Sequence, residues 1–344
     1  MSEADNVRKW PADRRGVAEV WYATWNDPTT GQGFWLRFIL KSPPPQHSVP
    51  PFGDQPFGEL WFARFDPKNP GRTFGIHKRF GTEQVSVSDA PFEVSIGGSM
   101  IANDRSAGHL AGNGHDVRWD LRWEPGQTMR WYPDSFYRRP IAESTALSPN
   151  PRVPLSGTLH VDGAEIVFDR VTAAQSHTWG KRYTYSWLWG HCNEFAGAPD
   201  TVLEVLAGRM RKRGVTLPVM GTISLVLDGE TLSLNGLRNI PRNHMRWDTA
   251  SARFGGRSLT TRIEGELSCA PEDMINAPYF DPDGQALFCA NTCIGSAKLT
   301  VWKRSSPFSS WREHRRLESS GRAHFEMGGR DRDPRVTTPH VLVT

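Results

Sequence analysis

No stretch of this sequence approaches the roughly 18 consecutive apolar residues that a membrane-spanning helix needs. The opening, MSEADNVRKWPADRR, has no apolar centre of the kind a secretion signal carries. Charge of one sign is also missing: 41 basic residues face 37 acidic ones, a net of +4. That balance argues against nucleic acid as a partner, and the run Arg209-Met210-Arg211-Lys212-Arg213 reads as solvated loop. Four cysteines (Cys192, Cys269, Cys289 and Cys293) are too few for a disulfide scaffold and match no zinc spacing. Cys289 and Cys293, four apart in an apparent strand, share a face and read as small buried hydrophobes. There is no Gly-x-Ser-x-Gly elbow, no phosphate loop and no dinucleotide fingerprint, which argues against triad hydrolases, kinases and dehydrogenases. Asp281-Pro-Asp-Gly284 lacks the further ligands of a calcium loop and reads as a turn. The expectation is a cytoplasmic protein, monomer or homodimer, with no metal and no cofactor.

What is abundant is Gly (32), Pro (26) and Trp (14). Gly and Pro at this level fit many short strands joined by turns. Alternating segments follow at 19–25, 34–40, 59–65, 92–96, 115–123 and 128–132. The proline-rich stretch 42–58 cannot be regular structure, because its prolines lack donors. Two hairpins, 157–168 and 221–234, each open on Gly-Thr and turn at Asp-Gly, the pair that tolerates two positive φ angles. They hint at a duplicated design. Residues 200–213 have apolar character without a helical stripe and read as strand, 258–268 alternates again, and 285–293 with 296–302 reads as a final pair. From about 305 the chain turns polar and Arg-rich.

Some 16 to 20 antiparallel strands exceed one small barrel. Two barrel-like domains in tandem account for the length and remove strand edges. The expected layout is a loose N-terminus over 1–15, one domain over 16–190, a second over 191–330, and a loose tail over 331–344. A ligand site would then lie in a barrel mouth or between the domains.

One stretch stands apart. Residues 177–195, HTWGKRYTYSWLWGHCNEF, hold two His, three Trp and two Tyr. In one extended strand the odd-numbered residues from 177 to 191 would share a face, with Gly180 and Gly190 as places where that register could break. Such a face could be a chemical site, a ligand wall or an aromatic piece of core.

His177-Thr-Trp-Gly180 followed by Trp187-Leu-Trp-Gly-His191 resembles the His-x-Trp-Gly and Trp-x-Trp signature of the carotenoid 1,2-hydratase and tocopherol-cyclase-like family. Glu19-Val-Trp-Tyr22, Gly33-Phe-Trp-Leu-Arg-Phe38, Gly58-Glu-Leu-Trp61, the 153–163 hairpin and Tyr279-Phe-Asp-Pro-Asp-Gly284 with Cys289-Ala-Asn291 are similar in the same order, over roughly 16–304. The resemblance implies an all-β fold of two tandem lipocalin-like antiparallel β-barrel domains with a hydrophobic cavity near their interface. It implies hydration, cyclisation or Diels–Alder closure of an isoprenoid or polyene without a cofactor, or lipid carriage without chemistry. Ser176 precedes the His here, where the hydratases often have an acid, so their mechanism does not transfer directly.

Protonating an alkene requires an acid in a dry cavity with aromatic faces that stabilise a cation. A cycloaddition requires shape and one or two donors to a carbonyl. His177 and His191 are the candidate acids or donors, with a structural histidine as the alternative for each. Trp179, Trp187 and Trp189 are cavity wall or core. Arg182 could meet a polar head group or pair with Glu194. Tyr185, Trp21, Trp35 and Trp61 are candidate lining residues, and Tyr137 a candidate hydroxyl. Glu59 opens a strand and is either an inward acid or solvated. Tyr279 and Asn291 are the weakest candidates.

Overall fold

The computed structural model describes residues 3–138, 143–212 and 214–344. Arg213, the last member of the basic run, lies outside the described residues. The chain is nearly all-β, with two short helices, α1 (Glu3–Asn6) and α2 (Asp134–Arg138). In chain order the first strands are β1 (Val17–Asn26), β2 (Gly33–Ser42), β3 (Phe57–Phe65), β4 (Phe74–Gly81), β5 (Val85–Asp89) and β6 (Phe92–Ile96). Then come β7 (Ser99–Ala102), β8 (Arg105–Gly112), β9 (His115–Trp123), β10 (Met129–Arg130), β11 (Ser144–Val161) and β12 (Ala164–Gly180). A second series holds β13 (Ser186–Cys192), β14 (Val202–Arg209), β15 (Arg211–Lys212), β16 (Val215–Thr216), β17 (Met220–Leu227) and β18 (Glu230–Ser233). It continues through β19 (His244–Trp247), β20 (Ser251–Arg257), β21 (Thr261–Ser268), β22 (Ile275–Phe280), β23 (Ala286–Lys303), β24 (Arg312–Gly329) and β25 (Thr338–Val343).

Two large antiparallel sheets result, beside the separate two-stranded ribbon β15–β16. In the first, neighbours run β5-β6-β7-β8-β9-β11-β12-β1-β2-β3-β4. In the second they run β19-β20-β21-β23-β24-β13-β14-β17-β18, with β22 on the other end of β23. Among the described residues no ladder closes either sheet into a ring. Each sheet is organised alike: a long hairpin, β11–β12 or β23–β24, pairs on one side with the sheet's own first strand, β1 or β13. The two Asp-Gly hairpins are not equivalent in this plan. The first is the tip of β11–β12, whereas the second joins β17 to β18 beyond β14. The repetition therefore lies in strand order, and the shared dipeptides are coincident turn chemistry.

Strand alternation sorts side chains into three cores. Trp21, Ala23 and Trp25 of β1 face the first sheet's own interior, and Leu188 and Cys192 of β13 face the second's. The opposite faces, Val20 and Tyr22 of β1 with Trp187 and Trp189 of β13, meet in a third core along a seam between the sheets. Cys289 and Cys293 lie together in that third core.

Several expectations are corrected. Within the segment expected to be loose before residue 16, α1 is docked: Asn6 is fully buried and bonds Gln175 and Asn103, while its carbonyl accepts the Trp21 indole N–H. The tail expected to be loose after 330 forms β25, which runs parallel to both β4 and β22 and so stitches the sheets together. Gly75 makes room for that stitch, since a Cβ there would strike the His340 ring. A boundary at 190/191 would cut β13, which pairs wholly within the second sheet. The final pair expected over 285–302 is one continuous strand, β23, and its partner is the Arg-rich β24. Charge misled there because the outer half of β24 is largely exposed.

Candidate functional site

The 177–195 stretch does not form one strand. His177 and Trp179 end β12 in the first sheet, residues 181–185 cross over, and Trp187, Trp189 and His191 lie on β13 in the second. Gly180 does mark the break, whereas Gly190 stays within β13.

On β13 the odd residues face the seam. The Trp187 indole N–H donates to Glu326 Oε1 at 2.9 Å, and that of Trp189 donates to Glu204 Oε2 at 3.1 Å. Each Trp of the Trp-x-Trp pair thus holds a different buried carboxylate, one from β24 and one from β14, the strands flanking β13. Gly328 faces Trp187 across the ladder, and a Cβ there would collide with the indole ring. Burying an indole requires such a partner for its N–H.

Around Glu326, the Tyr279 hydroxyl donates to Oε2 at 2.9 Å and Asn291 Nδ2 reaches the same oxygen at 3.3 Å. Arg37 of β2 donates to the Tyr279 hydroxyl oxygen, and its guanidinium lies over the rings of Tyr279 (4.7 Å), Trp35 (4.8 Å) and Tyr22 (5.5 Å). A cation so placed is held by ring quadrupoles. Around Glu204, His191 Nδ1 lies 2.8 Å from Oε1, and the Ser148 hydroxyl donates to the same oxygen at 2.8 Å. Ser148 Oγ in turn lies 2.9 Å from Ser176 Oγ and accepts the Trp131 indole N–H at 3.1 Å. Ser176 stands opposite Tyr22 in the β1–β12 register. A buried hydrogen-bonded chain therefore runs Ser176, Ser148, Glu204, His191, with Tyr22 across the ladder from its first member. Burial, with Glu204 and Glu326 nearby, pushes the Tyr22 phenol well above its ordinary pKa, so it keeps its proton.

Tyr22, Arg37 and Glu326, all buried, line a pocket of about 220 Å³ in the seam. Its walls are Trp131, Trp187, Trp189 and Tyr183, and Met220 and Glu143 are exposed members of its lining. Trp131 of the first series stacks on Trp189 of the second at 5.9 Å, so the wall spans the seam. Burial pushes the Asp281 carboxyl, which accepts the Tyr183 backbone N–H, up to about 6.

Other candidates lie elsewhere. His177 is fully buried beside Trp21 with both ring nitrogens occupied, Nδ1 at 2.7 Å from the Asp5 carbonyl and Nε2 at 2.8 Å from Glu19. It anchors α1 and does not line the pocket. Trp21 is core of the first sheet. Trp35 and Trp61 are in the seam core but not in the pocket wall. Glu59 is neither solvated nor an acid: it is fully buried between Lys41 (3.1 Å) and Arg79 (2.8 Å). Despite the burial, Lys41, His77 and Arg79 hold its pKa down to about 2. The Tyr137 hydroxyl is used up, accepting the Trp131 and Tyr132 N–H groups and donating to the Ala146 carbonyl. Arg182 is exposed and sits 3.9 Å from Glu143, while Glu194 pairs instead with Arg322. Tyr185 lies beside Arg211 and Arg330, outside the pocket wall. Trp179 faces a second cleft with Tyr137 and Arg182.

Sequence reasoning missed Glu204, Glu326 and Trp131 as site residues. Glu204 in VLEVL and Glu326 in HFEM are lone acids inside apolar strand segments, and that was the available signal. Among the described residues no group of three or more His, Cys, Asp or Glu side chains could hold a metal, and no helix is long and apolar enough to cross a membrane.

Residues 153–329 match the tocopherol cyclase-like family. The chain belongs to that family. An uncharacterized protein of Mycobacterium tuberculosis is 27% identical over 282 residues, covering 80% of this chain and 79% of its own. Among solved structures, a putative AttH from Nitrosomonas europaea superposes with a TM-score of 0.60 at 15% identity, covering 95% of this chain and 96% of its own. Kievitone hydratase from Nectria haematococca gives 0.54 at 10% identity, over 90% of this chain and 88% of its own. CghA, solved with Sch210972, gives 0.56 at 11%, over 91% and 88%. At these identities the structural matches establish the shared fold.

Proposed function

We propose that this family member is a cofactor-independent isomerase or hydratase acting on a hydrophobic isoprenoid or polyene held in the seam pocket. In this reading the two sheets are tandem lipocalin-like halves, and the substrate lies where they meet. The observation that carries it is the aromatic pocket lined by Tyr22, with the buried chain from Ser176 to Glu204 and His191 directly across the ladder from it. In this reading the phenol hands its proton to Ser176, whose own proton moves to Ser148 as Ser148 passes one on to the carboxylate. The names of two fold relatives, a hydratase and CghA bound to its small molecule, are in keeping with this class.

In a cation-forming isomerisation, the relay lends a proton to one alkene carbon and takes one back from a neighbour, with no net change. In a hydration, water supplies the hydroxyl and returns the proton. Trp131, Trp187 and Trp189 present faces that stabilise positive charge without attacking it. In a cycloaddition no proton moves, and Tyr22 and Arg37 serve as donors to a carbonyl in a fixed geometry. His191 acts through Glu204 and is a positioning residue, not a contact.

The test is native mass spectrometry after exposure to an organic extract of the host, followed by incubation of the captured ligand. Release of an isomer or hydrate supports the enzyme, and release of unchanged ligand makes the protein a carrier. Tyr22→Phe should retain the ligand and lose about 10²–10⁴-fold in turnover, the usual worth of a positioned acid or base. Wild-type turnover in that variant would remove the relay from the mechanism.

A further inference from the structure

Behind the seam pocket lies a second cleft of about 730 Å³, and its character is opposite. Five cations line it, Lys9, Arg130, Arg138, Lys181 and Arg182, against two acids, Asp5 and Glu143. The acids do not neutralise the cations. Arg130 is paired with Asp134 at 2.8 Å, but Arg182 meets Glu143 only at 3.9 Å. Arg138 and Lys181 have no ion pair among the described residues. The Lys9 ammonium lies 5.6 Å over the Trp179 ring and donates to the Ala4 carbonyl, and burial lowers its pKa. Trp10, Trp179 and Phe136 supply flat apolar surface between the charges.

The two clefts adjoin. Alternation along β11 sends Ser144 and Ala146 to the seam pocket and Thr145 and Leu147 to the basic cleft; on β12, Thr178 and Trp179 divide likewise. Phe136 and Glu143 line both, so the clefts meet around the ends of these strands. We propose that the basic cleft binds the anionic end, a phosphate, diphosphate or carboxylate, of a small molecule whose apolar chain turns over Phe136 into the seam pocket. This rests on the seam pocket being the seat of a hydrophobic substrate. It narrows the substrate class to amphipathic anions, because a neutral hydrocarbon leaves Arg138 and Lys181, which have no ion pair among the described residues, without a counter-charge. Guanidinium groups suit such oxyanions through paired N–H donors.

Calorimetric titration of the whole chain separates the two claims. Inorganic diphosphate at low salt should bind with one saturable site. Joint Lys181→Glu and Arg182→Glu substitution, both at exposed positions, should weaken it by roughly tenfold or more, and added salt should weaken it in the wild type. No binding, or equal affinity in the charge-reversed variant with an unchanged circular dichroism spectrum, overturns the anion site. Decyl phosphate should then bind at least about tenfold more tightly than inorganic phosphate, from burial of its methylenes. Equal affinity would leave the anion site standing and sink both the link between the clefts and the reading of the seam pocket.

Discussion

Two of this molecule's buried carboxylates are held in opposite ways. Glu59 and Glu204 both sit in strands and both are shielded from water. Glu59 is clasped by Lys41 and Arg79 and also receives the Trp61 indole N–H. Glu204 receives an indole, a serine and an imidazole, and no lysine or arginine lies within ion-pairing distance among the described residues. A carboxylate between two cations is locked in its charged form, because losing the charge strands both partners. One held by neutral or titratable donors can exchange a proton with its neighbours. Burial alone therefore does not distinguish scaffold from site; the partners do.

The comparison can be broken by isosteric substitution. The largest contrast should come from Glu204→Gln, which should cut turnover of the captured ligand by about 10²-fold or more, at a stability cost of only about 1–3 kcal/mol for the donor its amide nitrogen cannot accept from. Glu59→Gln should do the reverse, costing about 3–5 kcal/mol in urea unfolding because Lys41 and Arg79 are left buried and unpaired. If both variants behave alike, the distinction fails.

Acid should sharpen it. His77 stacks on Trp61 and lies 3.0 Å, ring nitrogen to ring nitrogen, from His340 of the stitching strand β25. Burial lowers the pKa of His77 to about 4 and that of His340 well below the usual value, with Glu59 opposing and Arg79 and Lys41 reinforcing the effect on His77 and Arg37 that on His340. A histidine with a depressed folded pKa contributes stability that is complete above its ordinary value near 6.5 and lost as pH falls toward 4. For His77 this is of the order of 3 kcal/mol. Glu59, with its folded pKa near 2, contributes stability that is lost later, from about 4.5 downward. Urea midpoints measured across pH 7 to 3 should fall in two stages, and His77→Leu should flatten the upper one. The smallest effect should be that of Trp187→Phe or Trp189→Phe, each leaving a carboxylate oxygen short of one donor at about 1–3 kcal/mol. Tryptophan-monitored unfolding would read it.

Strand positions are legible wherever alternation is strong: the segments 92–96 and 115–123 coincide with β6 and β9, and within 200–213 the strand β14 spans Val202–Arg209. For Trp187 and Trp189 the sequence shows a shared face, wall or core, because two aromatics at spacing two lie on one side of a strand. His177 was equally conspicuous and belongs elsewhere, since local sequence does not show that the chain crosses between sheets at 181–185. The carboxylates that give the tryptophans their meaning come from β14 and β24, far away in sequence, and only the assembled register brings them to β13. β24 itself was hidden because its exposed outer half obeys surface rules.

The pairing of β25 carries a kinetic consequence. Its neighbours, β4 and β22, belong to different sheets and are distant from it and from each other along the chain. Closing such contacts costs loop entropy before they return any favourable energy, so they form late and slowly. The seam, with its tryptophans and carboxylates, is then the last region to mature. A refolding experiment should recover β-sheet ellipticity well before it recovers the burial of Trp61 against His340, and the capacity to bind a ligand should return only with the slower phase.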